Sequence, residues 1–453
     1  MKRVLIVGAG AQGYVVGTVL ARAGDVQAVV LADLDAGRAA ETAASIASDK
    51  VKIEAVDASD TAAVAALARR QRADLLINTS LPQFIPQVMA GALQAGPNYL
   101  DLASVRLYDR DDLPIEQLAE ADAWKASGRT ALVNAGSAPG LTNIMAREAV
   151  DELDSVDAIR IRDYSADSGE SAEPLWSLPT YLIDCAAEPT IWENGRPRRV
   201  PIYSGEEVCD FPEPLGVRGK VYMHSHEEPV TLPLFVGKPV RYCDYKLGDP
   251  GVDTWRFVVE RLGLMSGEPM EINGAHVAPR DLLLRRLPRT IAPARLRALV
   301  EAGRMSGRTM VMCEVTGQRD GREARVILWS DAPDLAEACR RIPGTSHVSL
   351  ITSVPAATFS LMLLRDQIGH RGVVLPEMLG AAARELLYRG IGEWGIGVRK
   401  RLDCQAGASA RPRSQPATIE VETGGAARDV GPVTLDGEKA SGQQGRRPGA
   451  SES

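Results

Sequence analysis

The sequence predicts an α/β protein in which a doubly wound parallel sheet comes first and a second α+β domain follows. Three observations carry that prediction. Over the first 135 residues, short apolar runs alternate with Ala-rich, helix-favouring segments, which is the rhythm of βαβ units. The first of these runs, "VLIV", leads directly into Gly8-Ala9-Gly10-Ala11-Gln12-Gly13, a strand–turn–helix signature. From about Gly136 the rhythm gives way to strands separated by long Pro- and Gly-punctuated connections, the pattern of a mixed sheet.

Taken in order, the first-domain strands fall at 4–7, 28–32, 51–55, 75–78, 99–102 and 130–133, with helical segments at 15–23, 36–48 and 62–70. Their Ala content and apolar spacing favour helix between strands. In the second region a helix at 143–150 leads into a strand at 156–162. Strands follow at 239–245, 308–318 and 324–329, and a helix at 253–262. Helical patterns return at 356–365 and 377–388, and this late segment is expected to rejoin the first domain. The expected organisation is therefore 1–135 parallel-sheet domain, 136–345 α+β substrate and dimerisation domain, 346–404 returning helical segment, and 405–453 tail. That tail has no aromatic residue and few aliphatics. It cannot bury enough apolar surface to offset its ordering entropy, so disorder is expected. No internal repeat is evident.

Length and charge narrow the function. A chain of 453 residues is too long for one ordinary domain. Its 59 acidic and 52 basic residues leave a net charge of −7, which argues against nucleic acid or an anionic membrane as partner. The six cysteines are spread so that none lies within about twenty residues of the next, and no Cys-x-x-Cys motif exists. Scattered thiols suit a reducing compartment. A strand starting within two residues of Met1 leaves no room for a leader peptide. No run of about 18 apolar residues marks a membrane span. A cytoplasmic globular protein is expected.

Gly8, Gly10 and Gly13 match the dinucleotide-binding fingerprint of the Rossmann sheet. The first permits the turn, the second lets a pyrophosphate approach the backbone, and the third lets helix and strand pack closely. Ala11 and Gln12 open the helix whose N-terminus receives the phosphates. A ligand-free glycine turn is the alternative. Asp33 ends the second strand, twenty residues after Gly13, where a carboxylate accepts hydrogen bonds from a ribose 2′-hydroxyl. NAD is therefore expected in preference to NADP: a 2′-phosphate would face that carboxylate, and Arg38 is the only nearby cation. Beyond the other strand ends, Asn78, Thr79 and Ser80 meet the cofactor, and Asp57 and Ala58 border the adenine. Asp101 lies in an apolar strand end, either as a structural acceptor or in the chemistry. Gly136, Pro139 and Gly140 of "LVNAGSAPGLTN" are assigned to the substrate side.

The motifs "GAGAQG", "NYLDL", "NAGSAPGLTN", "PTIWENGRPRRVP", "HEEPVTLP", "VAPRDLL" and "GVVLPE" resemble, in that order, the saccharopine dehydrogenase-like oxidoreductases. Within that family the likeness points to lysine 6-dehydrogenase. The resemblance covers about residues 1–400. It implies a Rossmann domain joined to a substrate domain that also dimerises, and nicotinamide-dependent chemistry at a carbon–nitrogen bond of an amino acid. Carried over by position, Asp101, Pro139 and Gly140 would lie near the nicotinamide, and His224 matches a family histidine. His226 and Glu227 depart from the small residues expected there, leaving the substrate open. The tail has no family counterpart.

Oxidising an amine requires a base, because an alkylammonium must lose its proton before hydride can leave. His224 fits that role by intrinsic pKa, with Asp101 as a fixed negative charge beside the developing iminium; a packing histidine is the alternative. His276, His347 and His370 are read as structural. His224 and His226 share a face of an extended segment, but the sequence offers no third ligand, so no metal is expected. Arg160, Arg162, Arg196, Arg198, Arg199 and Arg241 are the candidates for a substrate carboxylate. The expected activity is NAD-dependent oxidation of the side-chain amine of lysine or a similar diamino acid. The alternatives are a saccharopine- or carboxynorspermidine-type imine reductase and a non-catalytic NAD sensor. Removing the residues after 404 is expected to leave the melting temperature within a few degrees of the full chain's; a large drop would show that the tail docks.

Overall fold

The apolar runs of the first 135 residues become parallel strands because both of their faces are covered. The computed structural model describes residues 1–104, 113–170, 173–288 and 290–404; the expected disordered tail lies outside these. Strands β1 (Lys2–Val7), β2 (Val26–Asp33), β3 (Val51–Ala55), β4 (Leu75–Asn78), β5 (Asn98–Asp101) and β6 (Thr130–Leu132) alternate with helices α1 (Ala11–Arg22), α2 (Ala36–Ile46), α3 (Thr61–Gln71), α4 (Ile85–Ala95) and α5 (Ala121–Ala126). The late strand Gly372–Val374 joins them, and the sheet order is 372–374, β6, β5, β4, β1, β2, β3. All its pairings are parallel. The order reverses between β1 and β4, so the crevice at their carboxyl ends is the topological switch point where such sheets bind ligands. Leu5, Val30 and Tyr99 face one buried layer with Trp124, while Ile6, Leu31 and Leu100 face the other with α1.

The second sheet has nine strands and is built around β7 (Ser155–Ser165). Val240–Gly248 runs parallel to β7 on one side, and Thr309–Arg319 runs antiparallel on the other. Arg322–Asp331 and then Gly397–Cys404 extend the sheet on that side. Period-two alternation splits its residues: Ile159, Ile161, Cys243 and Cys313 turn inward, and Tyr164, Met310, Met312 and Ile327 turn outward. Helix α6 (Leu141–Asp151) is packed under the inward face. One apolar cluster runs from β1 and α1 through α6 into the second sheet, so the two sheets share a core.

The returning segment differs from its helical reading. It does supply the helix His347–Leu364, which lies on α1, and the helix Ala381–Gly392. It also supplies a strand to each sheet, Gly372–Val374 and Gly397–Cys404. The last was invisible in the sequence because it is a sheet-edge strand of mostly charged, exposed residues with no apolar face to reveal its period. The expected helix at 253–262 is a short α-turn, Val252–Arg256, followed by a π-turn, Phe257–Arg261. Helix His347–Leu364 begins nine residues before its predicted start, capped by Ser346 accepting from the Ser349 N–H. Its 18 residues are long and apolar enough to cross a membrane, with mean hydropathy 1.5, but 83% of them are buried within this protein, as in a core helix. Phe359 sits at its centre with no exposed surface. Phe359→Ala should cost about 3–5 kcal/mol, read as a lower urea midpoint; an unchanged midpoint would mean that this helix does not carry the shared core.

Candidate active site

The glycine turn is built by close backbone approach. Gly8 N–H donates to Ala32 O (2.8 Å), and Thr79 Oγ1 donates to Gly8 O (2.7 Å). A Cβ on Gly13 would lie 2.1 Å from Gly8 O, so only glycine lets α1 start there. Gly10 differs: nothing stands within 4 Å of where its Cβ would be, and no side chain caps α1. Open space, unbonded helix N–H groups and the positive dipole end fit a pyrophosphate. The Asp33 carboxylate accepts from the N–H groups of Ala9 and Asp35, both at 2.9 Å. Arg38 Nη1 stands 4.0 Å from it. Ser353 on the late helix donates to the Gln12 side chain, tying Ala11 and Gln12 down. Asn78 accepts from the Ser80 N–H and hydroxyl at 3.0 and 2.6 Å. Asp57 accepts from the Ser59 N–H and hydroxyl, which hold it below the usual carboxylate range. With Ala58 it lies at the β3 edge, on the side of β2 away from Asp101.

Asp101 is fully enclosed, and burial pushes its pKa up to about 7. Asn134 N–H donates to Oδ1 (2.8 Å) and Gln117 Nε2 to Oδ2 (3.1 Å). The first bond pins Asn134 in a left-handed turn, φ 59°, a conformation asparagine tolerates. Asp101 is therefore placed as a brace for the loop that carries Gly136, Pro139 and Gly140. That loop folds tightly on itself: Gly136 N–H donates to Pro139 O, and a Cβ on Gly140 would lie 2.2 Å from Gly136 O. The turn releases the chain into α6, whose first residues face the second domain.

There the segment 224–228 arrives. Glu227 Oε1 accepts from the Ser104 N–H (3.0 Å), just beyond β5. Glu228, with no exposed surface, accepts from Thr142 Oγ1 (2.7 Å) and from His226 Nδ1. The His226 ring stacks on Tyr245, with centroids 3.9 Å apart. Tyr245 OH donates to Asp163 (2.8 Å), whose pKa burial raises to about 6. Glu377 accepts from Asn143 Nδ2 (3.0 Å), and burial lifts it to about 7. His224 sits one step outward, its ring 6.2 Å from that of His226 and stacked on Tyr181 at 6.1 Å.

Of the two residues singled out for catalysis, Asp101 braces the loop after the first sheet and His224 walls an aromatic recess. Sequence reasoning passed over Glu228 and Glu377 and left His226 without a role, although "HSHEE" held the signal. The pair considered for a metal, His224 and His226, does not form a ligand group; among the described residues, the ligand-type atoms that lie within 4.8 Å of one another are those of His226, Glu227 and Glu228. Each is already hydrogen-bonded or ion-paired. Most of the candidate arginines are also engaged. Arg162 is locked to Asp244 (2.7 Å) and Glu207 (2.9 Å), and Arg160, Arg198 and Arg241 pair with Glu314, Glu193 and Asp157.

A glycine turn open to a phosphate, a carboxylate at the end of β2 and a buried imidazole–carboxylate cluster at one sheet edge fit a nicotinamide-dependent oxidoreductase. The chain belongs to the saccharopine dehydrogenase family: the family's NADP binding domain matches residues 4–132 and its C-terminal domain residues 136–392. It is 27% identical over 401 residues to carboxynorspermidine synthase of Vibrio alginolyticus, covering 83% of this chain and 92% of that protein. Carboxyaminopropylagmatine dehydrogenase of Synechocystis is likewise 27% identical, over 82% of this chain and 92% of its own length. The fold is also that of yeast saccharopine dehydrogenase (L-Glu forming), TM-score 0.65 at 14% identity over 89% of this chain and 100% of that one.

Losing the Asp33 carboxylate should cost about 1.5–3 kcal/mol of NADH binding through its ribose hydrogen bonds. Asp33→Ala should weaken NADH by roughly tenfold or more in a fluorescence titration, and narrow any gap to NADPH. Equal NADH affinity in the variant and the wild type would remove Asp33 from the cofactor site.

Proposed function

We propose that this enzyme reduces the imine formed between an amine and an amino acid bearing an aldehyde, releasing a secondary amine. The relatives named for carboxynorspermidine and carboxyaminopropylagmatine favour this reading over oxidative deamination of lysine. A single observation carries it: Glu227, Glu228 and Asp163 gather around His226 at the carboxyl edge of the parallel sheet. Buried carboxylates of that density call for a cationic partner, and a protonated imine is one.

A bound reduced nicotinamide supplies hydride to the imine carbon. The chain's own groups do the rest. Glu227 and Glu228 place negative charge beside the iminium nitrogen, favouring the protonated form that accepts hydride. His226 Nδ1–H donates to Glu228, which fixes the ring and makes Nε2 its proton-transfer atom. The Tyr245 stack and the Asp163 bond behind it hold that ring plane. Condensation of amine and aldehyde expels water, so a site that moves protons serves both steps. Asp33 supports NADH as the reductant, with Arg38 the residue positioned to accommodate a 2′-phosphate.

The deciding experiment follows NADH or NADPH consumption with 1,3-diaminopropane and aspartate 4-semialdehyde, beside NAD reduction with lysine. Consumption with the first pair is expected. Turnover with lysine alone, or tight NADH binding with no turnover on either arm, would overturn the proposal. Within it, His226→Gln should lower kcat about a hundredfold or more while NADH affinity holds; an unchanged kcat would move the proton transfer elsewhere.

A further inference from the structure

A cavity of about 200 Å³ lies toward the far end of α6 from the Gly136–Gly140 turn, and the reductase reading does not use it. Glu148, Tyr388 and Lys400 line it, together with Leu328, Ile396 and Val398. One wall is the edge strand Gly397–Cys404, paired to Arg322–Asp331; α6 and the helix Ala381–Gly392 supply the others. A single water needs roughly 10–15 Å³, and pockets for drug-sized ligands run to roughly 300–1,000 Å³. The space between those limits fits a small organic molecule.

The polar groups of the lining are incompletely served. The Tyr388 hydroxyl is buried and closes no hydrogen bond of ordinary geometry. Burial, with the Glu148 carboxylate beside it, holds its pKa above the usual phenol value. Glu148 meets the Lys400 ammonium only at 3.5 Å, because that ammonium is drawn to Glu152 at 2.6 Å. Glu152 also pairs with Arg319 (2.8 Å), so it has two cations while Glu148 shares one. Lys400 carries three donors, and these two carboxylates take two of them. The cavity therefore offers one under-served carboxylate, a phenol and one ammonium with a donor to spare, beside aliphatic walls.

We infer that this cavity is an effector site that binds a free amino acid with an aliphatic side chain. The ligand's ammonium meets Glu148 and the Tyr388 hydroxyl, its carboxylate meets Lys400, and its side chain lies against Leu328, Ile396 and Val398. A zwitterion adds no net charge, which matches a lining of one carboxylate and one ammonium. A ligand of single charge would leave one of the two uncompensated. The elements it joins also hold the active site. Glu148 lies about 9 Å along α6 from Thr142, whose hydroxyl bonds Glu228. Tyr388 follows Glu377 on the returning segment, and Asn143 of α6 bonds Glu377. Arg384 to Asp151 (2.6 Å) and Arg147 to the Glu377 carbonyl (3.1 Å) already clamp these two segments. A ligand that joins them in this arrangement favours it, and so favours substrate binding at the cluster.

The test is calorimetric titration of L-leucine into the NADH-loaded full chain, beside 3-methylbutylamine, which lacks the carboxylate, and 4-methylpentanoate, which lacks the ammonium. Leucine should bind at least tenfold more tightly than either. Tyr388→Phe, Glu148→Gln and Lys400→Met should each weaken leucine about tenfold, and Val398→Phe, which fills the space, should abolish binding. In the NADH-oxidation assay, saturating leucine should lower the KM for the amine about fivefold in wild type and leave it unchanged in Val398→Phe, whose basal rate should match wild type. No leucine binding, equal binding of the single-charge analogues, or binding indifferent to all four substitutions overturns the site. Binding with an unmoved KM overturns its effector role. If wild type consumes NADH with no amine, the reductase reading fails by itself, and the calorimetry still decides the site.

Discussion

Glu228 is the residue on which the site's geometry depends. It has no exposed surface, and its carboxylate takes one hydrogen bond from Thr142, at the start of α6, and one from His226. Thr142 directly follows the Gly136–Gly140 turn, which is itself held by Asn134 and Asp101 at the end of β5. One carboxylate therefore couples the loop of the parallel sheet to the imidazole contributed by the second domain. Removing either donor would leave a buried acceptor unsatisfied, at a cost of about 1–3 kcal/mol. The Glu227 bond to the Ser104 N–H repeats the linkage one residue earlier. Adjacent residues on one turn thus grip two different loops of the first sheet, which fixes both the position and the tilt of the segment between them.

Much of the fold was legible because its signal is local. The strands at 51–55 and 75–78 match their predicted limits, the first an alternating and the second a continuous apolar stretch set between helical segments in a βαβ rhythm. The glycine turn was equally plain, because three glycines at fixed spacing answer a local backbone constraint. The site was less legible. Asp101 drew attention as a carboxylate among apolar neighbours, yet both of its oxygens turn out to be occupied by Asn134 and Gln117, and no sequence pattern reports that. Intrinsic pKa gave His224 and His226 equal claim, and the resemblance favoured His224. What separates them is tertiary: the Tyr245 ring under His226 comes from a strand about twenty residues later, and Thr142 from a helix about eighty residues earlier. Glu377 lies farther still along the chain and reaches the cluster only because the returning segment closes the first sheet.

The acidity of the site is a consequence with its own cost. Asp101, Asp163 and Glu377 are all pushed toward neutrality by burial. Groups so enclosed are tolerated because each accepts bonds from neutral donors, namely Gln117, Tyr245 and Asn143. Neutral donors leave the charge uncompensated, unlike the Arg162–Asp244 pair on the outward face of the second sheet. Buried carboxylates are therefore held in opposite ways at these three positions and on the outward face of that sheet. On the outer face an arginine neutralises them and the structure is self-sufficient. At Asp101, Asp163 and Glu377 hydroxyls and amides hold them instead.

The two histidines of the 224–228 segment meet different surroundings. Residues two apart in extended chain lie on the same face roughly 6–7 Å from each other, and His224 and His226 obey that relation. The inner ring meets Tyr245 and the carboxylates, and the outer ring meets Tyr181 and the recess. The distance between the two rings, 6.2 Å, is thereby a property of backbone geometry. Only the walls of the recess remain adjustable, through Tyr181, Tyr203 and Tyr222, which come from three separate elements. The spacing of the two imidazoles is therefore set by the backbone, while the surroundings of each are left to residues from other elements.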